Sequence, residues 1–300
     1  MFGGNFQTWK LHSAQDYFMF FAYILAGVMV FWLIAKHMNK QRNHEKAVEK
    51  VSARLKKICG KPGEVLKNAT LNLPEGKMTA KGRLFEGLAA HGFARDMEHA
   101  LVSHSRDTLI LELTDRPETL AKWPYRFRLL STFRLEGHTL HHTLTVENRD
   151  EEPMAYGIGF HPGFALPFDQ DHTPSDYVLQ FDSLESPLCL GTLPHGLLNG
   201  KCYYLGKNIR EIPLDDRLFA NDSHCMVGLS SKYLSLTEKG TGRSVRCKIE
   251  KFPYVLIWSM PGEPKFVCIE PWESLPSQES GSIDWNEKPA DAHKEPTAVM

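Results

Sequence analysis

The chain has 300 residues and a formal net charge of −1, with 42% hydrophobic and 11% aromatic residues. This length allows one large domain or two small ones, and the near-neutral net charge gives no indication of nucleic-acid binding, so we expect no nucleic-acid partner. The 18 prolines and the many aromatic residues favour a loop-rich β protein. The six cysteines, which contain no C-x-x-C pair and no metal-ligand spacing, favour reduced thiols in a cytosolic domain: Cys59, Cys189, Cys202, Cys225, Cys247 and Cys268.

Residues 17–35 form an uncharged and almost wholly apolar run, YFMFFAYILAGVMVFWLIA. A helix of this length spans about 28 Å, enough for the hydrocarbon core of a bilayer. Tyr17 and Trp32 lie near its two ends, where amphipathic rings favour the membrane interface. A cleaved signal peptide fits less well, because the run is too long and no small-residue cleavage site follows. The sequence therefore predicts one transmembrane helix over 17–35, after a flank at 1–16.

Positive charge is distributed unevenly around this predicted span. Lys10 is the only Lys or Arg before it, whereas eight follow within residues 36–57. The positive-inside tendency therefore predicts a single-pass membrane protein with its C-terminal domain in the cytoplasm. Within the basic juxtamembrane segment, 36–76, an apolar stripe at helical spacing predicts a short amphipathic helix over 45–58, which either lies on anionic lipid or packs locally.

The juxtamembrane segment also has a weak resemblance to a known domain. Residues 43–74, NHEKAVEKVSARLKKICGKPGEVLKNATLNLP, are similar to the opening of nuclease-related NERD domains, which often follow a membrane anchor. The resemblance covers one helix and one strand, and the residues that carry that family's metal-dependent chemistry would come later in the chain.

A β-rich body is predicted over residues 77–279. Two alternating runs, 123–137 and 138–153, are separated by Gly137, and in the second run Leu140, His142, Leu144 and Val146 share one face. Further strand signals with turn residues between them are Tyr177–Phe181, Tyr233–Thr237, Ser244–Glu250, Tyr254–Trp258 and Phe266–Glu270. This pattern predicts a mainly β fold, an antiparallel sandwich, followed by a polar tail at 280–300.

The stretch YGIGFHPGFALPF over residues 156–168 presents a histidine between two glycines. Pro162 biases His161 toward an extended backbone, while Gly159 and Gly163 allow another backbone or a ligand to approach closely. An imidazole in this setting is a candidate for proton transfer near neutral pH. The alternative is a core histidine beside a β-bulge.

Three further polar segments stand out against the β pattern: HGFARD with His91 and Arg95, LFANDSHC with Asp222, and IEPWESLP with Glu270. An imidazole and a carboxylate brought together from distant strands can act as an acid/base pair. In their order and approximate spacing, these segments and GFHPGF resemble the aldose 1-epimerase (galactose mutarotase) superfamily, specifically its LacX-like branch. The resemblance runs from about Lys77 to Ser277.

The resemblance implies a β-supersandwich with an open carbohydrate groove and no metal or other cofactor. It implies that Glu270 removes the proton of the anomeric hydroxyl and that His161 protonates the ring oxygen, so that the sugar opens and recloses as the other anomer. His91 and Asp222 would bind sugar hydroxyls. Arg95 would bind a hydroxyl or a phosphate, although an ion pair with Asp96 is an equal alternative.

Trp272 and Phe164 would offer apolar surface to the sugar ring, a free hexose or a sugar phosphate. The family resemblance also leads us to expect an incomplete scaffold. Relatives have strands and a substrate arginine before the HGFAR motif, and a last strand after a segment similar to GSIDWNEKPADAHKEPTAVM. The missing strands would expose sheet edges and predict self-association. Two other interpretations therefore stay open: a non-catalytic carbohydrate-binding module, and an inactive truncated or chimeric membrane protein.

Overall fold

The computed structural model describes residues 76–194, 196–215, 217–262, 265–287 and 292–294. The predicted transmembrane helix at 17–35, the amphipathic helix at 45–58 and the NERD-like segment at 43–74 lie outside these ranges, and these three remain predictions. Within the described ranges, no helix has the length and apolar character needed to cross a membrane.

The described chain is built almost entirely of strands. They are β1 Met78–Ala80, β2 Arg83–Phe85, β3 Ala100–His104, β4 Thr108–Thr114, β5 Phe127–Glu136, β6 Thr139–Asn148, β7 Met154–Tyr156, β8 Gly163–Ala165, β9 Tyr177–Glu185, β10 Leu188–Thr192, β11 Leu198–Tyr204, β12 Ile209–Pro213, β13 His224–Val227, β14 Tyr233–Glu238, β15 Ser244–Lys248, β16 Tyr254–Trp258, β17 Phe266–Trp272 and β18 Ala292–Lys294. One four-residue helix, α1 at Pro117–Leu120, and three short 3₁₀ turns, at Ala94–Asp96, Pro174–Asp176 and Trp285–Glu287, complete the described elements.

The strands form five sheets in which every ladder between named strands is antiparallel, with the orders β11-β10-β13-β16-β17-β8, β12-β9-β14-β15, β3-β4-β5-β6, β1-β2 and β18-β7. The mainly β prediction is confirmed. The strand predictions from the alternating runs are confirmed too: β6 alternates exposed and half-buried residues from Thr139 to Val146, as the pattern of Leu140, His142 and Leu144 indicates.

The largest hydrophobic core lies between the six-stranded sheet and the four-stranded sheet β12-β9-β14-β15. Val255, Ile257, Val267 and Ile269 come from β16 and β17, and they cluster with buried side chains of β9 and β14 such as Leu179. Because side chains alternate along a strand, the residues between these apolar positions point to the opposite face of the six-stranded sheet. That opposite face carries Glu270.

The body extends past residue 279, because described residues of the segment predicted as a polar tail, 280–300, pack against it. Trp285 is 2% exposed, its indole N–H donates to the Ala155 carbonyl at 2.8 Å, and its ring meets the Trp123 ring edge-on. The Thr79 N–H donates to the Ile283 carbonyl, and β18 pairs with β7. The segment is polar in composition, yet it contributes one buried aromatic ring and backbone hydrogen bonds to the body.

Candidate active site

Glu270 lies on β17 of the six-stranded sheet, between β16 and the edge strand β8. Leu256 of β16 is its cross-strand partner, and Cys225 of β13 is the partner of Leu256 in turn. All three side chains are buried, with Glu270 at 2% exposure. Burial raises the pKa of the Cys225 thiol, and the negative charge of Glu270 adds to this effect. Glu270 thus places a carboxylate among buried apolar side chains. Burial of this charge costs free energy unless a partner is present.

His161 is that partner. Its imidazole Nε2 lies 3.3 Å from Glu270 Oε1, and its side chain is 6% exposed. His161 belongs to the segment 157–162, which connects β7 and β8. The structure thus brings together the two residues that sequence analysis assigned to acid/base chemistry.

Backbone contacts with β17 fix the position of the His161 segment. The Phe160 N–H donates to the Pro271 carbonyl at 2.9 Å, and the Ile269 N–H donates to the Pro162 carbonyl at 3.2 Å. The Trp272 indole N–H donates to the Phe160 carbonyl at 3.1 Å. These bonds flank His161 on both sides, so its orientation toward Glu270 depends on the backbone of two neighbouring segments.

Gly159 permits this close approach. A Cβ at this position would lie 2.5 Å from Cδ1 of Trp272, which is closer than two carbon atoms can come without a shift. Only glycine lets the segment lie flat against the indole ring. The glycine is visible in the sequence, whereas its contact with Trp272 arises only in the folded chain.

His142 contacts the same segment through the Phe160 ring. Its ring stacks on Phe133 at 4.0 Å between centroids, meets Phe160 edge-on at 4.9 Å, and has Nε2 2.9 Å from the Ser131 hydroxyl. Burial lowers the pKa of His142 to about 3, so this imidazole is neutral near pH 7. His142 therefore packs like an aromatic residue behind the His161 segment.

His91 also reaches the site. Its ring centroid lies 5.1 Å from that of His161 and 6.4 Å from that of Trp272, with edge-on geometry in both cases. The backbone of His91 has φ +67°, in the left-handed region that non-glycine residues rarely adopt. His91 is half-buried, so the loop holds its imidazole beside His161 while part of it stays accessible.

Sequence analysis missed two residues of the site. Cys268 lies two positions before Glu270 on the same face of β17, and it is 3% exposed. Trp258 is the cross-strand partner of Cys268, and its ring centroid is 6.4 Å from that of His161. The alternation of side chains around Glu270 in the run FVCIEPW was the signal that could have identified Cys268.

The two aromatic residues predicted to contact sugar, Phe164 and Trp272, are both buried. Phe164 is 3% exposed and faces the core between the two sheets, because it pairs with Val267, whose side chain is on the core face. Trp272 is 2% exposed, and its ring packs on Gly159. Phe164 therefore lies on the face opposite Glu270 and is not placed to contact a sugar there, whereas Trp272 lies on the Glu270 face of β17 and its contact with a sugar stays a prediction. Trp258 is half-buried and lies on the same face as Glu270.

Arg95 and Asp222 lie in turns. Arg95 Nε is 3.3 Å from Asp96 Oδ2, which is the ion pair that sequence analysis gave as the alternative to a substrate contact. Asp222 has φ +88° in the turn that leads into β13, and its N–H donates to the Phe219 carbonyl. Asp222 thus lies two residues before β13, the strand whose Cys225 is the cross-strand partner of Leu256.

Sequence comparison links the chain to known proteins. A family model described as aldose 1-epimerase matches residues 68–282. This match begins within the segment predicted as a juxtamembrane linker, and it includes the end of the NERD-like segment. It also contains the candidate site residues from His91 to Trp272.

Individual relatives agree with the family match. Plasmid protein LacX of Lactococcus lactis subsp. lactis is 30% identical over 205 residues, which are 66% of this chain and 68% of LacX. A galactose mutarotase related enzyme from Lactobacillus acidophilus has a similar structure, with a TM-score of 0.70, 26% identity and 76% of both chains covered. A putative glucose-6-phosphate 1-epimerase of Escherichia coli strain K12 is 39% identical over 82 residues, 26% of this chain and 28% of that protein.

Proposed function

Because this chain belongs to the aldose 1-epimerase family, we propose that it interconverts the α and β anomers of a hexose or hexose phosphate by acid/base ring opening. The observation that carries the proposal is the buried contact of 3.3 Å between His161 Nε2 and Glu270 Oε1. The anomeric hydroxyl oxygen and the ring oxygen are bonded to the same carbon. An acid and a base that serve these two oxygens must therefore lie close together, as this pair does.

In the proposed reaction the Glu270 carboxylate accepts the proton of the anomeric hydroxyl, while protonated His161 donates its proton to the ring oxygen. The bond between C1 and the ring oxygen breaks, and the open-chain aldehyde forms. Rotation about C1–C2 exposes the other face of the aldehyde. The protons then return by the reverse route, so that Glu270 acts as the acid and His161 as the base.

Two neighbours would orient the sugar. The half-buried His91 ring beside His161 can hydrogen-bond a sugar hydroxyl. Trp258 is a further ring that would offer apolar surface, since it lies on the same face as Glu270 and keeps part of its surface accessible. Arg95, now paired with Asp96, would have to exchange this carboxylate for a substrate phosphate, and Asp222 would approach from the end of β13.

Anomer exchange by NMR saturation transfer tests the proposal. The full-length protein is mixed with glucose, galactose or glucose 6-phosphate, and we expect exchange above the uncatalysed rate with at least one of them. Glu270→Gln and His161→Asn each should lower the rate by about 100-fold or more, the range in which general acid–base groups act.

Glu273→Gln is the matched control for the carboxylate, because Glu273 is exposed on the same segment, and His141→Asn is the control for the imidazole. Exchange that survives both site substitutions would remove the proposed mechanism. Binding of a sugar without any exchange would favour the carbohydrate-binding module instead. A protein without cooperative unfolding would support the truncated or chimeric alternative.

We also propose that residues 17–35 anchor the chain in a membrane with the catalytic domain on the cytoplasmic side. The apolar run and the positive charges that follow it support this location. Deletion of residues 17–35 should move the protein from the membrane fraction to the soluble fraction, and membrane retention of the deleted chain would contradict the anchor. Self-association through exposed sheet edges remains a prediction, which the mass of the deleted chain in solution would test.

A further inference from the structure

Three side chains of different chemistry converge at the candidate site. One ligand atom each from His161, Cys268 and Glu270 lies within 4.8 Å of the other two. The three side chains are 6%, 3% and 2% exposed, so they form a compact cluster below the surface of the sheet. Imidazole, thiolate and carboxylate are the three side-chain types that bind Zn²⁺ in proteins.

The backbone explains why these groups converge. Cys268 and Glu270 are two residues apart on β17 and therefore share a face. Gly163 is the cross-strand partner of Cys268, and even a Cβ at Gly163 would leave 3.4 Å to the thiol sulfur, so the sulfur has room on that side. His161 stands two residues before Gly163 and is held against β17 by the bonds already described.

One of the three ligand spacings matches tetrahedral zinc. Zinc bonds to nitrogen and carboxylate oxygen at about 2.0–2.1 Å, and two such ligands at a tetrahedral angle are about 3.3–3.4 Å apart. His161 Nε2 and Glu270 Oε1 are 3.3 Å apart. A thiolate ligand favours zinc over magnesium or calcium, which prefer oxygen.

A second cluster of side chains that could bind a metal is already bonded to a cationic residue of the protein. Asp169, His172 and Glu238 also lie within 4.8 Å of one another, but the Arg243 guanidinium donates to both carboxylates. A cation already neutralises that cluster. The ligand set at the candidate active site differs in its chemistry, because it contains a soft thiol and a single carboxylate.

We propose that His161, Cys268 and Glu270 form a zinc-binding site, and that bound zinc switches off anomer exchange. On binding, the Cys268 thiol releases its proton to solvent, and the zinc forms bonds to sulfur, to the imidazole nitrogen and to the carboxylate. The imidazole lone pair and the carboxylate are then no longer free to move protons. Three protein ligands leave a fourth position for a water or a sugar hydroxyl. The inhibition rests on the proposed function, whereas the binding does not.

The test separates binding from activity. Metal-free full-length protein is titrated with Zn²⁺ by calorimetry, and with Co²⁺ while the absorption of cobalt–thiolate charge transfer is recorded. We expect one site whose thiolate signal disappears in Cys268→Ser, with zinc affinity lowered at least tenfold. Cys202→Ser, at an exposed position, and Cys59→Ser should leave the signal and the affinity unchanged.

His161→Asn is a second variant that should weaken zinc binding, and it keeps the proposal testable if Cys268→Ser does not fold. Equal zinc affinity in wild type and in a folded Cys268→Ser protein would overturn the site. Zinc binding with undiminished anomer exchange would overturn the inhibition. If the site binds zinc but the metal-free protein exchanges no sugar, the zinc site stands and the proposed function fails.

Discussion

At the scale of single residues, the candidate site depends on how closely two backbones approach. Gly159 lies against the Trp272 ring, and the indole N–H donates to the carbonyl of Phe160, the residue directly before His161. The distance between His161 and Glu270 is therefore set by the neighbours of His161. A small displacement of this segment moves the imidazole as a whole.

Gly159→Ala should displace the segment, because the new methyl group would meet the Trp272 ring at 2.5 Å. We expect anomer exchange to fall by about 100-fold, the loss typical of a misplacement of about 1 Å. Gly163→Ala is the matched control, since its methyl group would make an ordinary contact of 3.4 Å with the Cys268 sulfur. The measurement is saturation transfer at a fixed sugar concentration. Equal rates in wild type and Gly159→Ala would show that the close approach does not position His161.

At the scale of elements, the segment after β17 belongs to the body. Trp285 fills a cluster with Met78, Trp123, Tyr125 and Met154, which come from β1, from the loop before β5, and from β7. Its hydrogen bond to Ala155 ties this segment to β7, the strand that precedes His161. A late segment of the chain thus stabilises the start of the site segment.

Trp285→Ala should lower the free energy of unfolding by about 3–5 kcal/mol, because it removes a large side chain from a closed cluster and leaves a cavity. Urea unfolding followed by circular dichroism measures the change. Ile283→Ala, at a side chain that is 37% exposed, should change it by less than about 1 kcal/mol. Similar stability of the two variants would mean that the segment contributes little to the body.

At the scale of the whole molecule, an ion-pair network lies at one end of β9 and β14, in the sheet β12-β9-β14-β15. The Arg243 guanidinium donates to Asp169 and to Glu238, and the Tyr177 hydroxyl donates to Glu238 at 2.5 Å. Glu238 is fully buried. Burial by itself raises the pKa of Asp169, but hydrogen bonds from His172 and Arg243 lower it to about 2. The hydrogen bond to Asp169 raises the pKa of His172 above its ordinary value of 6.5.

Arg243→Met should destabilise the fold by about 3–5 kcal/mol near pH 7, because it leaves the buried Glu238 without its cation. Arg246→Met, at an exposed position that stacks on Tyr233, should cost less than about 1 kcal/mol. Urea unfolding over a pH series measures both. Equal losses in the two variants would contradict the role of the network.

The free energy of unfolding in the same pH series should pass through a maximum. The contribution of Asp169 is present above its unfolded-state pKa of 3.8 and is lost as the pH falls toward 2, where the carboxylate takes up a proton. The contribution of His172 is present below 6.5 and is lost as the pH rises through its raised pKa. Stability from this network should therefore be greatest between about pH 4 and 6.5. His172→Asn should remove the decrease on the alkaline side, and an unchanged decrease would contradict the assignment.

Alternation and motif order were enough to predict the antiparallel strands and the pair His161 and Glu270. The buried face of a strand is visible in the sequence as a two-residue alternation of apolar and polar side chains. This alternation involves only residues that are close together in the chain. Glu270 stood out because a charged residue interrupts an apolar run. The same local rules could not tell which side of β8 Phe164 occupies, because its register with Val267 is a property of two distant segments.

The sequence by itself thus determined the fold class, the family resemblance and the two residues proposed for proton transfer. Only the tertiary structure decided that Cys268 and Trp258 lie beside His161 and Glu270, that Phe164 faces the opposite side of the sheet, and that Trp285 packs into the body. Sequence spacing specifies which groups share a face within one strand. Which faces meet depends on cross-strand register and on packing between sheets, and both arise from contacts between residues far apart in the chain.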